Sequence, residues 1–157
     1  MVLVKTKRGE SMGLFDKFKT NEDKTWKFYE DVIEDKKMLV RVDTKYAGEN
    51  YKNTFYIQVK YSEIETTELP DKDFLNKVTA LEDKVIESIS KTFENNIVFL
   101  GTATFGGSSY ITFASNYDVM WQEYIKAMVD EKLLTGIYPN DNMGYYNQVL
   151  YPDYMRK

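Results

Sequence analysis

The chain has 157 residues, with 21 basic and 25 acidic side chains and neither histidine nor cysteine. Without cysteine there is no disulfide, thiolate nucleophile, iron–sulfur cluster or cysteine-held zinc, and without histidine there is no Ser-His-Asp triad and no imidazole base or metal ligand. A net charge of −4 argues against a mainly electrostatic grip on nucleic acid, while 43% hydrophobic and 29% charged residues are ordinary values for a folded domain.

Residues 1–24 hold six basic side chains (Lys5, Lys7, Arg8, Lys17, Lys19, Lys24) against four acidic ones, so a mildly basic leader precedes an acidic body. Its first residues have a short apolar patch, Val2 to Val4, followed by charges, which is not a secretory signal. Met12 offers a second start as well as Met1. Leu14, Phe15 and Phe18 share a helical face, and this segment reads as a short helix docking on its own domain, with a surface anchor as the alternative. Myristoylation at Gly13 is unsupported, because Lys17 stands where the pattern wants Ser or Thr. Thr20 to Lys24 is polar and reads as a linker.

Strand character begins at Trp26 and Phe28, which alternate with Lys27 and Tyr29 and run on to Val32. A polar turn, Glu34-Asp35-Lys36-Lys37, leads to Met38, Val40 and Val42 in alternation with Leu39, Arg41 and Asp43. After a loop at Tyr46–Asn50, Phe55, Ile57, Val59 and Tyr61 alternate with Thr54, Tyr56, Gln58 and Lys60. A long helix follows from Asp71 to Glu94. Pro70 precedes it, Asp71 or Asp73 caps it, Asn95-Asn96 closes it, and Phe74, Val78, Leu81, Val85 and Ile89 make one apolar stripe that covers a sheet. Asp73 with Lys77 and Glu87 with Lys91 are favourable i,i+4 pairs.

Strands are predicted again at Ile97–Phe105 and Tyr110–Ala114, joined by the glycine turn Gly106-Gly107-Ser108-Ser109. A second helix is predicted from Ser115 to about Leu133, with Asp118 in capping-box spacing and Met120, Trp121, Tyr124, Ile125 and Met128 as its stripe. Two short strands, Gly136–Tyr138 and Tyr145–Leu150, end the chain on either side of the turn Pro139-Asn140-Asp141-Asn142. From Thr54 onward the order strand, helix, strand, strand, helix, strand is that of a ferredoxin-like α+β domain. The expected fold is an antiparallel sheet with two helices on one face, extended by the N-terminal hairpin and a C-terminal strand, in a single domain over residues 25–157.

Trp26-x-Phe28-Tyr29 with Val40-Arg41-Val42-Asp43, then Leu81-Glu82-Asp83, Phe99-Leu100-Gly101 and Tyr145-Tyr146-Asn147-x-x-Leu150-Tyr151-Pro152 occur in this order. Together they resemble an uncharacterised, mainly bacterial family catalogued as domain of unknown function 695. The similarity runs from about Thr25 to Asp153, and its most distinctive piece is the aromatic ending. The resemblance implies a small α+β domain with no assigned reaction. In some members of the family a domain similar to a ferredoxin-like inhibitor of ribonuclease E stands beside it, which implies a nuclease-regulating role by association alone. The chain departs from the family pattern at Thr102 and at Ser108-Ser109, where basic residues are common, so an anion-binding role does not carry over.

The candidate chemistry is sparse. Gly106-Gly107-Ser108-Ser109 lacks both the dinucleotide fingerprint and the lysine of a P-loop, and it lies between strands, so it reads as a hairpin turn. Glu82 and Asp83 are adjacent on a helix and diverge by about 100°, which rules out a close acid–base pair. Glu82 reads as a flanking or structural contact, with a salt bridge to a partner's Arg or Lys as the functional alternative. The acidic group Glu63, Glu65, Glu68, Asp71 and Asp73 lacks EF-hand spacing and reads as surface loop and helix start. Eight of the 13 tyrosines fall in the charge-poor residues 95–157. Tyrosine offers large contact area with a polar tip, and Tyr145, Tyr146, Tyr151 and Tyr154, with Tyr110 and Tyr138, make the candidate interaction surface. The basic surround of an RNA-stacking sheet is missing.

The sequence therefore points to a cytoplasmic, non-enzymatic module that binds a protein partner or a second copy of itself, with no cofactor, nucleic acid or membrane. No apolar run approaches the ~20 residues of a membrane helix. Two alternatives stand: a small-molecule-binding or carboxylate- and tyrosine-based hydrolytic domain, and a nuclease-regulating or immunity-like inhibitor.

Overall fold

A computed structural model of the chain describes residues 26–45, 51–93, 97–116, 133–141 and 144–155. The predicted leader helix (Leu14, Phe15, Phe18), the second helix and the loop at 46–50 lie outside these residues, apart from the ends of the second helix. The described elements are β1 (Trp26–Ile33), β2 (Lys36–Asp43), β3 (Asn53–Lys60), helix α1 (Lys72–Phe93), β4 (Ile97–Phe105), β5 (Ser108–Ser115) and β6 (Leu134–Tyr138), followed by a π-helical turn (Tyr146–Leu150) and a 3-10 turn (Asp153–Met155). The strands form one sheet in the order β1-β2-β4-β5-β3-β6, and every neighbouring pair is antiparallel. The chain leaves β3, passes through α1 and returns at β4, and β5 fills the gap between them.

Tight turns fix the registers. Glu34 and Asp35 both take positive φ (50° and 66°), so the first hairpin turn is two residues long and Lys36 and Lys37 already belong to β2. Gly106 and Gly107 (φ 66° and 111°) likewise make the second turn alone. Ser108 and Ser109, expected in that turn, are buried strand residues instead. Ser109 hydrogen-bonds Thr104 and Ser108 accepts from Gln58.

The alternation read from the sequence sorts the two faces. On one, Phe55, Ile57 and Val59 of β3 and Ile111 and Phe113 of β5 pack against Val78, Leu81, Val85 and Ile89 of α1. Each such side chain, fully buried, contributes roughly 1.5–3 kcal/mol. Asp71 caps α1 by accepting the Phe74 N–H at 2.9 Å, and Lys91 pairs with Glu87 at 3.0 Å. On the other face, Tyr29, Met38, Val40, Val42, Leu100 and Ala103 form a second core with Tyr146, Leu150 and Met155.

That second core corrects the predicted last strand. Residues 145–150 are helical: Tyr145 has φ −62° and ψ −42°, and the Tyr151 N–H reaches the Tyr146 carbonyl at 2.7 Å. The cause is local. The Asp141 carboxylate accepts the Tyr145 N–H at 3.0 Å, as a capping side chain does. The buried pair Tyr146 and Leu150 is spaced by four, a helical and not an alternating period.

Candidate functional site

Beneath the first half of α1 the sheet carries a polar group in an apolar setting. Glu82 of α1 is only 4% exposed and meets the Arg41 guanidinium of β2 at 3.1 Å, while the Thr102 hydroxyl of β4 donates to its other oxygen. The Arg41 guanidinium lies 4.3 Å from the centre of the Trp26 ring and 5.6 Å from that of Phe99, and these two rings stack on each other at 5.5 Å. Gly101 precedes Thr102 at a bulge, with φ 149°, and a side chain there would run into the Arg41 carbonyl. The adjoining cleft of about 40 Å³, lined by Phe28, Leu39, Leu75 and Thr79, has room for a few waters. Its single carboxylate is ion-paired, so the cluster locks helix to sheet and does not resemble an acid–base pair. The Thr102 hydroxyl thus helps to hold the Glu82 carboxylate in place. Asp83, next to it, is exposed.

The acidic group of the sequence reading is dispersed in the same way. Glu65 pairs with Lys36, Glu68 with Lys37 at 2.8 Å, and Asp71 caps α1. The Lys37 hydrogen bond holds the exposed Glu68 carboxyl below its usual range. Among the described residues no cluster of three or more acidic side chains is placed to hold a metal ion.

Among the described residues, the tyrosines on the sheet face away from α1 separate into two sets. Tyr29 is 1% exposed and donates to the Leu150 carbonyl at 2.8 Å, and Tyr146, 2% exposed, donates to the Asp43 carbonyl at 2.5 Å. Burial pushes the Tyr29 phenol well above its ordinary value of 10. The Tyr151 ring packs edge-on against Tyr146 under the Lys27 ammonium, and Pro152 is buried beside it. Tyr154 stands at the far margin, 45% exposed, hydrogen-bonded to Asp31. Partial burial and that carboxylate push its phenol up to about 12.

The second set lies on the same face, over β3, β5 and β6. Tyr56 and Tyr110 face away from α1 because their strand neighbours Phe55, Ile57 and Ile111 face it. A continuous row of rings results. Phe105 meets Tyr110 at 5.4 Å, Tyr110 meets Tyr56 at 5.5 Å, Tyr56 meets Tyr138 at 5.7 Å, and Tyr138 stacks on Tyr145 at 5.7 Å. Gly136 makes room for it, since a side chain there would collide with the Tyr56 ring. Phe105, Tyr56 and Tyr110 are half-buried and Tyr138 is 41% exposed. The Tyr145 hydroxyl is buried near Thr112 without a hydrogen bond of normal geometry, and burial pushes its phenol upward. Burial also raises Tyr138.

The four tyrosines singled out by the sequence are therefore not one surface. Tyr145 is the partly buried end of the row of rings, Tyr146 belongs to the core, Tyr151 to the packing around it and Tyr154 to the β1 margin. Sequence reasoning missed Tyr56 and Phe105 as members of the row. The signal was present in the alternation of β3, but it became usable only with the β3–β5 and β3–β6 registers.

A family model, described as a family of unknown function (DUF695), matches residues 22–151 of the 157. No curated protein and no solved structure matches the chain.

Proposed function

The chain belongs to the DUF695 family, and from that premise we propose that it is a non-enzymatic module that binds a protein partner through the half-exposed face of Tyr56, Tyr110 and Tyr138. The row of rings carries this reading. Aromatic side chains with polar tips, fixed on strands, supply large contact area at little cost in conformational entropy. The strand order β6-β3-β5-β4, with α1 linking β3 to β4, supports a ferredoxin-like core extended by the β1–β2 hairpin. The pairing of Glu82 with Arg41 weighs against the hydrolytic alternative, which calls for two carboxylates facing one cleft. A cytoplasmic setting suits a chain without cysteine. No helix among the described residues is long and apolar enough to cross a membrane.

A photo-crosslinking aromatic residue placed at Tyr110 in the full chain, in its native cells, tests the reading. The expected result is a discrete protein adduct that disappears when Tyr56 and Tyr138 are both changed to Ala. A correctly folded chain that yields no adduct, or the same adduct after those changes, would sink the proposal. A captured nuclease would narrow the reading to the inhibitor class.

A further inference from the structure

The hydroxyls of the tyrosine-bearing face are used unevenly. Those of Tyr29 and Tyr146 donate to carbonyls of the chain itself. Those of Tyr56, Tyr110 and Tyr138 make no hydrogen bond to any described residue. Phe105, Tyr110, Tyr56 and Tyr138 stand on the neighbouring strands β4, β5, β3 and β6, so their row crosses the sheet. Charge differs between its two ends. At the Phe105 end Lys36, beside Gly106, is paired with Glu65. At the other end the Asp141 carboxylate accepts from the Thr54 hydroxyl at 2.7 Å and the Tyr145 N–H at 3.0 Å, and no cation among the described residues pairs with it. Thr54 is the register partner of Tyr138, which places that negative charge where the row ends.

We propose that the row binds a proline-rich segment of a partner protein in the polyproline II conformation, with an arginine or lysine of that segment beside Asp141. The proposal rests on the reading of this face as a protein-binding surface and names the class of partner. The three phenols select the backbone. A polyproline II segment has no internal hydrogen bonds, so its carbonyls are acceptors for them. A helix uses its carbonyls internally, and docking one here would leave the three donors unsatisfied. An extended strand brings backbone N–H groups, for which ring faces hold no acceptor, whereas proline has no N–H to lose. Spacing agrees with this choice. The three-residue turn advances about 9 Å, and alternate rings, at steps of 5.4–5.7 Å, are no more than about 11 Å apart. Charge sets the flanking residue. Asp141 offers an unpaired carboxylate at one end, and a chain of net charge −4 draws in a basic segment faster than an acidic one.

Amide chemical shifts of the labelled full chain, titrated with a blocked peptide of nine prolines and one terminal arginine, test it. The arginine is placed at either end in turn. The expected result is saturable binding of at least one of the two, with a dissociation constant on the order of 100 μM and shifts centred on β3, β5 and β6. The same peptide with glycine for every proline should bind at least roughly tenfold more weakly, because it is not preorganised. Tyr56→Phe with Tyr138→Phe keeps the rings, removes two donors and should weaken binding roughly tenfold. Asp141→Asn keeps an acceptor for Thr54 and Tyr145 and should weaken the arginine peptide while leaving an all-proline peptide unaffected. No binding up to about 1 mM peptide overturns the proposal. Equal binding of the glycine peptide, or shifts centred elsewhere, overturns it in favour of a bare charge contact or another surface. A partner crosslinked at Tyr110 in cells, together with no affinity for proline peptides, overturns the partner class alone and leaves the protein-binding face standing.

Discussion

The two halves of the sheet face opposite α1 use tyrosine for different ends. Over β1, β2 and β4 the rings of Tyr29 and Tyr146 are buried, and their hydroxyls are spent on the carbonyls of Leu150 and Asp43. These hydrogen bonds tie the C-terminal turns down onto the sheet. Over β3, β5 and β6 the rings of Tyr56, Tyr110 and Tyr138 lean on one another and stay half-exposed. The same side chain fastens one half and furnishes the other. What decides its role is whether a backbone carbonyl from a distant segment comes within reach of the hydroxyl.

The largest expected effect lies in the fastened half. Tyr29→Ala removes a ring that is 1% exposed and should cost about 3–5 kcal/mol in urea denaturation. Glu82→Ala removes the buried carboxylate that accepts from Arg41 and Thr102 and should cost about 2 kcal/mol by the same measurement. That loss belongs to the helix-covered face, so it should not alter Tyr29-dependent behaviour.

Alkaline pH separates the halves next. The folded-state phenol of Tyr29 is raised, so its contribution is fully present below the unfolded value near 10 and is lost as pH rises above it. One pH unit above 10, Tyr29 alone should cost about 1.4 kcal/mol of stability. Tyr29→Phe should flatten that slope, as read by denaturation at successive pH values. Tyr146→Phe loses one buried hydrogen bond and should cost about 1 kcal/mol. Tyr110→Ala, in the open half, should cost the least, about 1 kcal/mol or below.

Much of the architecture was legible because it rests on short-range patterns. Period two marks β1 to β3, a glycine turn between two strand-like runs marks β4 and β5, the five-member stripe from Phe74 to Ile89 marks α1, and the Asp71 cap marks its start. The Tyr145–Leu150 segment was misread because aromatic and β-branched residues suggest a strand. Its helical form depends on the Asp141 carboxylate four residues upstream of Tyr145, and on a core that exists only once β2 and β4 have paired. The four tyrosines of the candidate surface lie apart for a related reason. Closeness in sequence puts Tyr145 and Tyr146 together, whereas one ends the half-buried row of rings and the other lies in the core. The true neighbours, Tyr56, Tyr110 and Tyr138, come together through strand registers that no local pattern encodes.

The division of labour between the two halves is tested most directly by measuring unfolding free energy and crosslinked partner together on a Tyr56→Ala/Tyr138→Ala variant and on Tyr29→Ala, with the crosslinking residue at Tyr110 in both. The account expects the open-half variant to lose the adduct while losing clearly less stability than Tyr29→Ala, and Tyr29→Ala to lose about 3–5 kcal/mol while its folded fraction keeps the adduct. An open-half variant that unfolds like a core substitution, or that keeps its adduct, would contradict it.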